Sequence, residues 1–139
     1  MRYIRFLIFP LVGILGVLVA QAADLKIIAN PSLTASSVSV EELKAVFLVT
    51  KTSLGGGHVE PVLEKGGPTH DAFLRRYLGK TDAALSIYYR SLVFTGKAFM
   101  PKTLDSDAEV ADYVAKTKGA IGYVKYDTNA PGAKEISVR

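Results

Sequence analysis

The chain opens on an apolar run, Phe6 to Ala20, that carries no charge, and beyond it hydrophobic residues recur in short blocks divided by polar turns. Leu25 to Ala29 (LKIIA) is closed by the turn pair Asn30-Pro31 and predicts a buried first strand. A hydroxyl-rich loop, Ser32 to Ser37, follows. Ser39 and Glu42 have the spacing of a capping box ahead of a helix with Leu43, Val46 and Phe47 on one face. Gly55 to His58 reads as a flexible connection and Val59 to Leu63 as a strand. Gly66-Gly67-Pro68 opens a second helix, with Pro68 at its first position, Phe73, Leu74, Tyr77 and Leu78 as its apolar face, and Gly79 as its stop. Thr81 can cap a third helix whose stripe is Ala84, Leu85, Tyr88 and Leu92. Ser106 and Glu109 repeat the capping-box spacing before Val110, Tyr113 and Val114, and Gly119 ends that helix. Ala120 to Val124 (AIGYV) predicts a compact buried strand, and Glu135 to Val138 an edge strand. Helices between short apolar strands predict an α/β domain whose sheet is at least partly parallel.

The opening run changes how the rest is counted. Arg2 and Arg5 precede it, and Ala20-Gln21-Ala22 closes it with small residues where a signal peptidase reads. That order predicts a secretory signal peptide over residues 1–22 and a mature domain over residues 23–139. Phe6 to Ala20, interrupted by Pro10, Gly13 and Gly16, is short of the about 20 apolar residues of a membrane-crossing helix. A retained anchor is the alternative. The expected location is periplasmic or secreted, with membrane contact only through the leader before cleavage.

Removing residues 1–22 takes away two of the 17 Lys+Arg and none of the 13 Asp+Glu, which leaves a net charge of +2. So balanced a chain, with its basic residues scattered, has no stripe for a nucleic acid. The sequence has no cysteine, which excludes thiol nucleophiles, thiolate metal sites and attachment of a lipid through sulfur. Its two histidines, His58 and His70, are too few for an imidazole metal site without carboxylates around them. No metal or cofactor is expected.

Two segments carry candidate chemistry. Lys65-Gly66-Gly67-Pro68-Thr69 leaves a strand and enters a helix. The unpaired N–H groups of a first helical turn point outward with partial positive charge, glycines allow close approach, and Thr69 adds a hydroxyl, so the turn can take an anion. Asn30 and Ser32 follow the first strand, where open α/β sheets bind ligands. Both have a local alternative: glycine serving turn geometry, and Asn and Ser satisfying their own loop. His58 in its glycine loop and His70 beside Asp71 read as surface residues, and Tyr88, Tyr89 and Tyr113 as core or half-core aromatics. No nucleophile–base pair, paired-carboxylate motif or nucleotide fingerprint is present, so an enzyme is not expected.

Taken in order, the first strand with Asn30-Pro31, then Glu42 to Leu48 (ELKAVFL), the Gly66 to Thr69 turn with Phe73 and Tyr77-Leu78-Gly79, Leu92 to Gly96 (LVFTG), and Gly119 to Val124 (GAIGYV) resemble the periplasmic phosphate-binding proteins of ABC transporters, and more closely their short, single-lobe relatives. The resemblance implies an α/β fold built as one lobe of a type II periplasmic-binding protein, a mixed sheet flanked by helices. It implies ligand groups at Gly66, Gly67 and Thr69, to which the loop after the first strand adds Asn30 and Ser32, with a small anion such as phosphate as ligand and an ABC permease or an envelope sensor protein as partner. Against the family turn, Leu63 stands where an arginine would be, Gly67 replaces a serine and Pro68 a glycine. A bidentate donor, a hydroxyl and an N–H are thereby missing, and each such bond to a charged ligand contributes about 1.5–3 kcal/mol. The expected function is a periplasmic solute-binding-like protein with weak phosphate or oxyanion affinity. The alternative is an envelope interaction or accessory module that has lost solute binding.

Overall fold

The computed structural model describes residues 24–139; the leader expected over residues 1–22 lies outside them. Among the described residues eight strands and four helices follow in the order β1 (Leu25–Ala29), β2 (Ser37–Val38), α1 (Val40–Phe47), β3 (Ser53–Leu54), β4 (Gly57–His58), β5 (Glu60–Glu64), α2 (Pro68–Phe73), α3 (Asp82–Phe94), β6 (Lys102–Leu104), α4 (Asp107–Lys116), β7 (Ala120–Lys125) and β8 (Lys134–Val138). A π-helical turn, Leu74–Leu78, extends α2 to Gly79, whose left-handed backbone ends it as its position predicts. The fold class is the expected one: a six-stranded mixed sheet in the order β2-β8-β1-β7-β5-β6, flanked by helices.

The sheet joins two kinds of pairing. β1 runs antiparallel to both β7 and β8, whereas β5 is parallel to β6 and β7. From β5 the chain passes through α2 and α3 to β6 on one side, then through α4 to β7 on the other. Val62 and Leu63, neighbours in β5, belong to different cores because successive strand residues face opposite ways. Leu63 joins Phe47, Phe73, Leu85 and Tyr123 under α1, α2 and α3. Val62 joins Ile28, Val110, Val114 and Val124 under α4. Gly122 permits that second contact: a Cβ there would stand 2.9 Å from Val110 Cγ1 and 3.3 Å from Val114 Cγ2.

Local signals are realised where the chain itself supplies the partners. Ser39 and Glu42 form both halves of the capping box. Thr81 accepts from the Ala84 N–H, and Ser106 from the Glu109 N–H. The Glu109 carboxylate turns instead to the Asp105 N–H, so the second box is only half made.

Four readings are corrected. The Gly55-Gly56 segment is a two-residue hairpin between β3 and β4, with φ of 60° and 83°, rather than a flexible connection. β8 is interior to the sheet, between β2 and β1, and the edges are β2 and β6. The buried face of α3 is Leu85 and Tyr89, with Tyr88 and Leu92 at its margin and Ala84 exposed. Tyr89 and Tyr88 are turned this way by hydroxyl bonds to the carbonyls of Phe47 and Leu48, at 2.5 and 2.6 Å. His70 is not on the surface: it is 2% exposed.

Candidate functional site

The carboxyl ends of β5 and β6 deliver the chain to the starts of α2 and α4. The two connections meet there: the Lys65 N–H donates to the Leu104 carbonyl at 2.9 Å, and Lys65 Nζ pairs with Asp105 at 3.0 Å. Gly66 and Gly67 are exposed at this corner, and Thr69 is buried behind them. Gly67 is the N-cap of α2 with φ 99°, a conformation that needs glycine, and no side chain caps the helix. Its carbonyl accepts from Asp71 at 3.0 Å. The first-turn N–H groups, those of Thr69 and His70 among them, have no carbonyl four residues back in the helix. Pro68 has no N–H to offer. A Cβ at Gly66 would meet nothing within 4 Å, so that glycine is not needed for packing.

Asn30 and Ser32 do not join this corner. β1 runs antiparallel to β7, and β5 parallel to it, so the carboxyl end of β1 lies at the opposite end of the sheet from that of β5. There Asn30 Nδ2 donates to the carbonyls of Val114 and Ala115, at 3.0 and 3.1 Å, closing the last turn of α4. Asn30 Oδ1 accepts the Ser32 N–H at 2.9 Å, and the Ser32 hydroxyl accepts the Gly119 N–H at 2.9 Å. Only the Ser32 N–H bond to Asn30 stays within their own loop; the others hold the end of α4 and Gly119. Leu63, where the phosphate binders have arginine, is 4% exposed and part of the main core.

Behind the corner is a buried polar chain that the sequence did not single out. The Glu64 N–H donates to the Tyr123 hydroxyl oxygen at 2.9 Å. Tyr123 Oη is 2.5 Å from His70 Nδ1, and His70 Nε2 is 2.8 Å from Asp82 Oδ1. A carboxylate can only accept, so Nε2 carries a hydrogen and donates to Asp82. The chain ties the end of β5 to α2, to the start of α3 and to β7. Tyr123 is also stacked on Phe73, ring centroids 3.9 Å apart, and its burial pushes the phenol's pKa upward. The signal available was a tyrosine inside an apolar strand, since a buried hydroxyl needs a partner.

Glu64 was also missed. Its side chain is 4% exposed and Oε1 has no hydrogen-bond partner. Burial first, then the hydrogen bond and charge of Asp107, push its pKa up to about 9. The carboxyl is therefore neutral at pH 7, and the neighbouring Asp107 accepts the Lys125 N–H through Oδ1 at 2.8 Å. The corner consequently presents the Lys65–Asp105 pair and backbone N–H groups, and Glu64 adds no charge to it.

No protein-family model matches the chain, and no curated protein does. Solved structures do. A Clostridium perfringens protein described as a phosphate ABC transporter substrate-binding protein, with phosphate bound, superposes with TM-score 0.65 at 15% identity over 82% of this chain and 44% of its own. An ABC-type phosphate transport receptor from Vibrio cholerae gives 0.65 and 17%, over 82% and 45%. PstS from Borrelia burgdorferi gives 0.54 and 15%, over 83% and 47%. The chain thus spans less than half the length of each of these three structures. What the likeness carries, at these identities, is the fold: this chain has the architecture of one part of the phosphate ABC transporter substrate-binding proteins.

Proposed function

We propose that this chain is a periplasmic solute-binding-like protein, exported by the leader over residues 1–22, whose domain over residues 23–139 binds an oxyanion such as phosphate weakly. Its ligand groups are the backbone N–H groups of Gly66 and Gly67 and the backbone and hydroxyl of Thr69. The carrying observation is the uncapped first turn of α2, set at the carboxyl end of β5 just behind the exposed Gly66 and Gly67. Its neighbours in fold are named for phosphate transport, which supports both the ligand class and a permease as partner. Asn30 and Ser32 hold α4 and Gly119 and are left out of the ligand set.

Weakness follows from the donors that remain. They are neutral, one position is proline, and one side of the ligand stays in water, where hydrogen bonds count for less. Calorimetry with inorganic phosphate should give a dissociation constant of about 1 mM or weaker, equivalent to about −4 kcal/mol. Thr69→Ala should weaken it about 2- to 10-fold, one neutral hydrogen bond. Absence of heat at saturating phosphate would remove the reading.

A second reading is an envelope accessory module that keeps the fold and binds a permease or sensor protein without a solute. The burial of Leu63 in the core and the separation of Asn30 and Ser32 from the Gly67 corner favour it. It expects no phosphate heat together with one stoichiometric envelope partner.

A further inference from the structure

The end of the molecule opposite the Gly67 corner has a different character. Between Asp82 and Asp105 the chain contains no carboxylate, and its charged residues there are Arg90, Lys97 and Lys102, all exposed. The same segment holds the two most exposed large apolar side chains among the described residues, Phe94 at 92% and Phe99 at 94%, with Met100 and Val93 also in solvent. They sit on the last turn of α3 and on the loop that leads to β6. The loop is not loose chain: the Lys97 N–H donates to the Leu92 carbonyl at 2.9 Å, and the Gly96 N–H to Val93 at 3.1 Å. It borders a groove of about 510 Å³ lined on its far wall by Val49, Val59 and Pro61. The acidic residue on that wall, Glu60, is paired with His58 at 3.6 Å.

We propose that this apex is a docking surface for an anionic lipid bilayer, with Phe94 and Phe99 seated at the boundary of headgroups and acyl chains and Arg90, Lys97 and Lys102 among the phosphates. Soluble proteins rarely leave two phenylalanines almost fully exposed on one short segment, and such exposure marks an interaction site. Rings that project from the surface suit a partner that needs no preformed pocket to receive them, and a bilayer boundary is one. Cations without neighbouring carboxylates on their own segment match anionic headgroups. A second copy docked on the same face about a two-fold axis would bring two sets of Arg90, Lys97 and Lys102 together with no carboxylate on either segment, which disfavours self-association. The apex lies at the amino ends of β5 and β6, so docking leaves the Gly67 corner facing away, about 16 Å further along the strands.

The sequence has no tryptophan, so one introduced indole reports on one position. The test uses the protein purified from cells as two variants, F99W at the apex and Y126W at the carboxyl end of β7. Each is mixed with vesicles of phosphatidylglycerol and phosphatidylethanolamine carrying brominated acyl chains. The F99W indole should shift to the blue and be quenched, and the Y126W indole should not. The pair discriminates even where the apolar leader is retained, because a leader tethered next to Asp24, whose carbonyl accepts from the Tyr126 N–H at 3.0 Å, would bring the Y126W indole to the bilayer rather than the F99W indole. Vesicle binding by F94S/F99S should fall at least about tenfold, and K97E/K102E should abolish its dependence on phosphatidylglycerol. All four positions are exposed, so an unchanged melting curve verifies that the variants fold. Equal quenching of both indoles, quenching of neither, or equal binding to phosphatidylcholine alone would overturn the proposal. Self-association that F94S/F99S abolishes would reassign the surface to a second copy and also overturn it.

Discussion

Burial keeps a proton on Glu64 that an exposed glutamate would have lost. Its pKa is raised to about 9 from an unfolded value near 4.3, so the folded state holds the proton across that whole interval. The stability tied to this proton is fully present below the unfolded value and is lost as the pH climbs towards 9. Glu64→Gln keeps the shape and a donor towards Asp107 but has no proton to lose. The variant should melt with the parent near pH 5 and be more stable by about 1–3 kcal/mol near pH 9, read as a widening gap in melting temperature. Parallel curves across that range would mean that Glu64 ionises normally. Nothing in the string VLEKGG marks this glutamate as buried. Alternation along β5 puts it on the α4 face with Val62, and only the arrival of Asp107 from forty-odd residues away encloses it.

Elements report their own glycines more faithfully. Gly122 lies inside a predicted strand and Gly66 in a predicted turn, and they have opposite tolerances. Gly122→Ala drives a methyl into Val110 and Val114 and should cost about 1–3 kcal/mol by pushing α4 off the sheet. Gly66 has open space around it and no left-handed backbone, so Gly66→Ala should be neutral or up to about 1 kcal/mol stabilising. It should also keep its phosphate affinity, because the N–H remains. Urea denaturation of the two variants checks the contrast. Equal destabilisation would show that the close approach of α4 is not what fixes Gly122. The helix caps at Ser39, Thr81 and Ser106 were legible because both partners sit within three residues of each other. The face of α3 was not, because the choice between Ala84 and Tyr89 depended on where the carbonyls of α1 came to rest.

At the scale of the molecule, strand direction decides which residues can cooperate. Asn30 and Ser32 follow a strand, as Gly66, Gly67 and Thr69 do, and the sequence offers no reason to separate them. The antiparallel pairing of β1 with β7 sends them to the other end of the sheet. Asn30→Ala should therefore leave phosphate affinity unchanged while destabilising the fold by about 1–3 kcal/mol, since two carbonyls at the end of α4 lose their donor. Calorimetry beside thermal melting measures both. A loss of binding without a loss of stability would restore Asn30 to the ligand set. The same geometry puts the Gly67 corner and the phenylalanine apex at opposite ends, so ligand and surface contact do not compete for space.

Hydrophobic periodicity, caps and turns determined the fold class, the bounds of β1 and α1, and the helix that begins at Pro68, because those features are written in residues a few positions apart. The resemblance in GAIGYV likewise has a local spelling, and the structure supplies its causes: Gly119 and Gly122 lie against the His58 carbonyl and α4, and Tyr123 centres the buried polar chain. Tertiary structure alone decided which ends of the strands face together, that β8 is interior, that His70 and Glu64 are buried, and that two phenylalanines remain outside. Each of those depends on contacts between segments far apart in the chain. Amino-acid pattern limits such contacts, and only the assembled sheet selects among them.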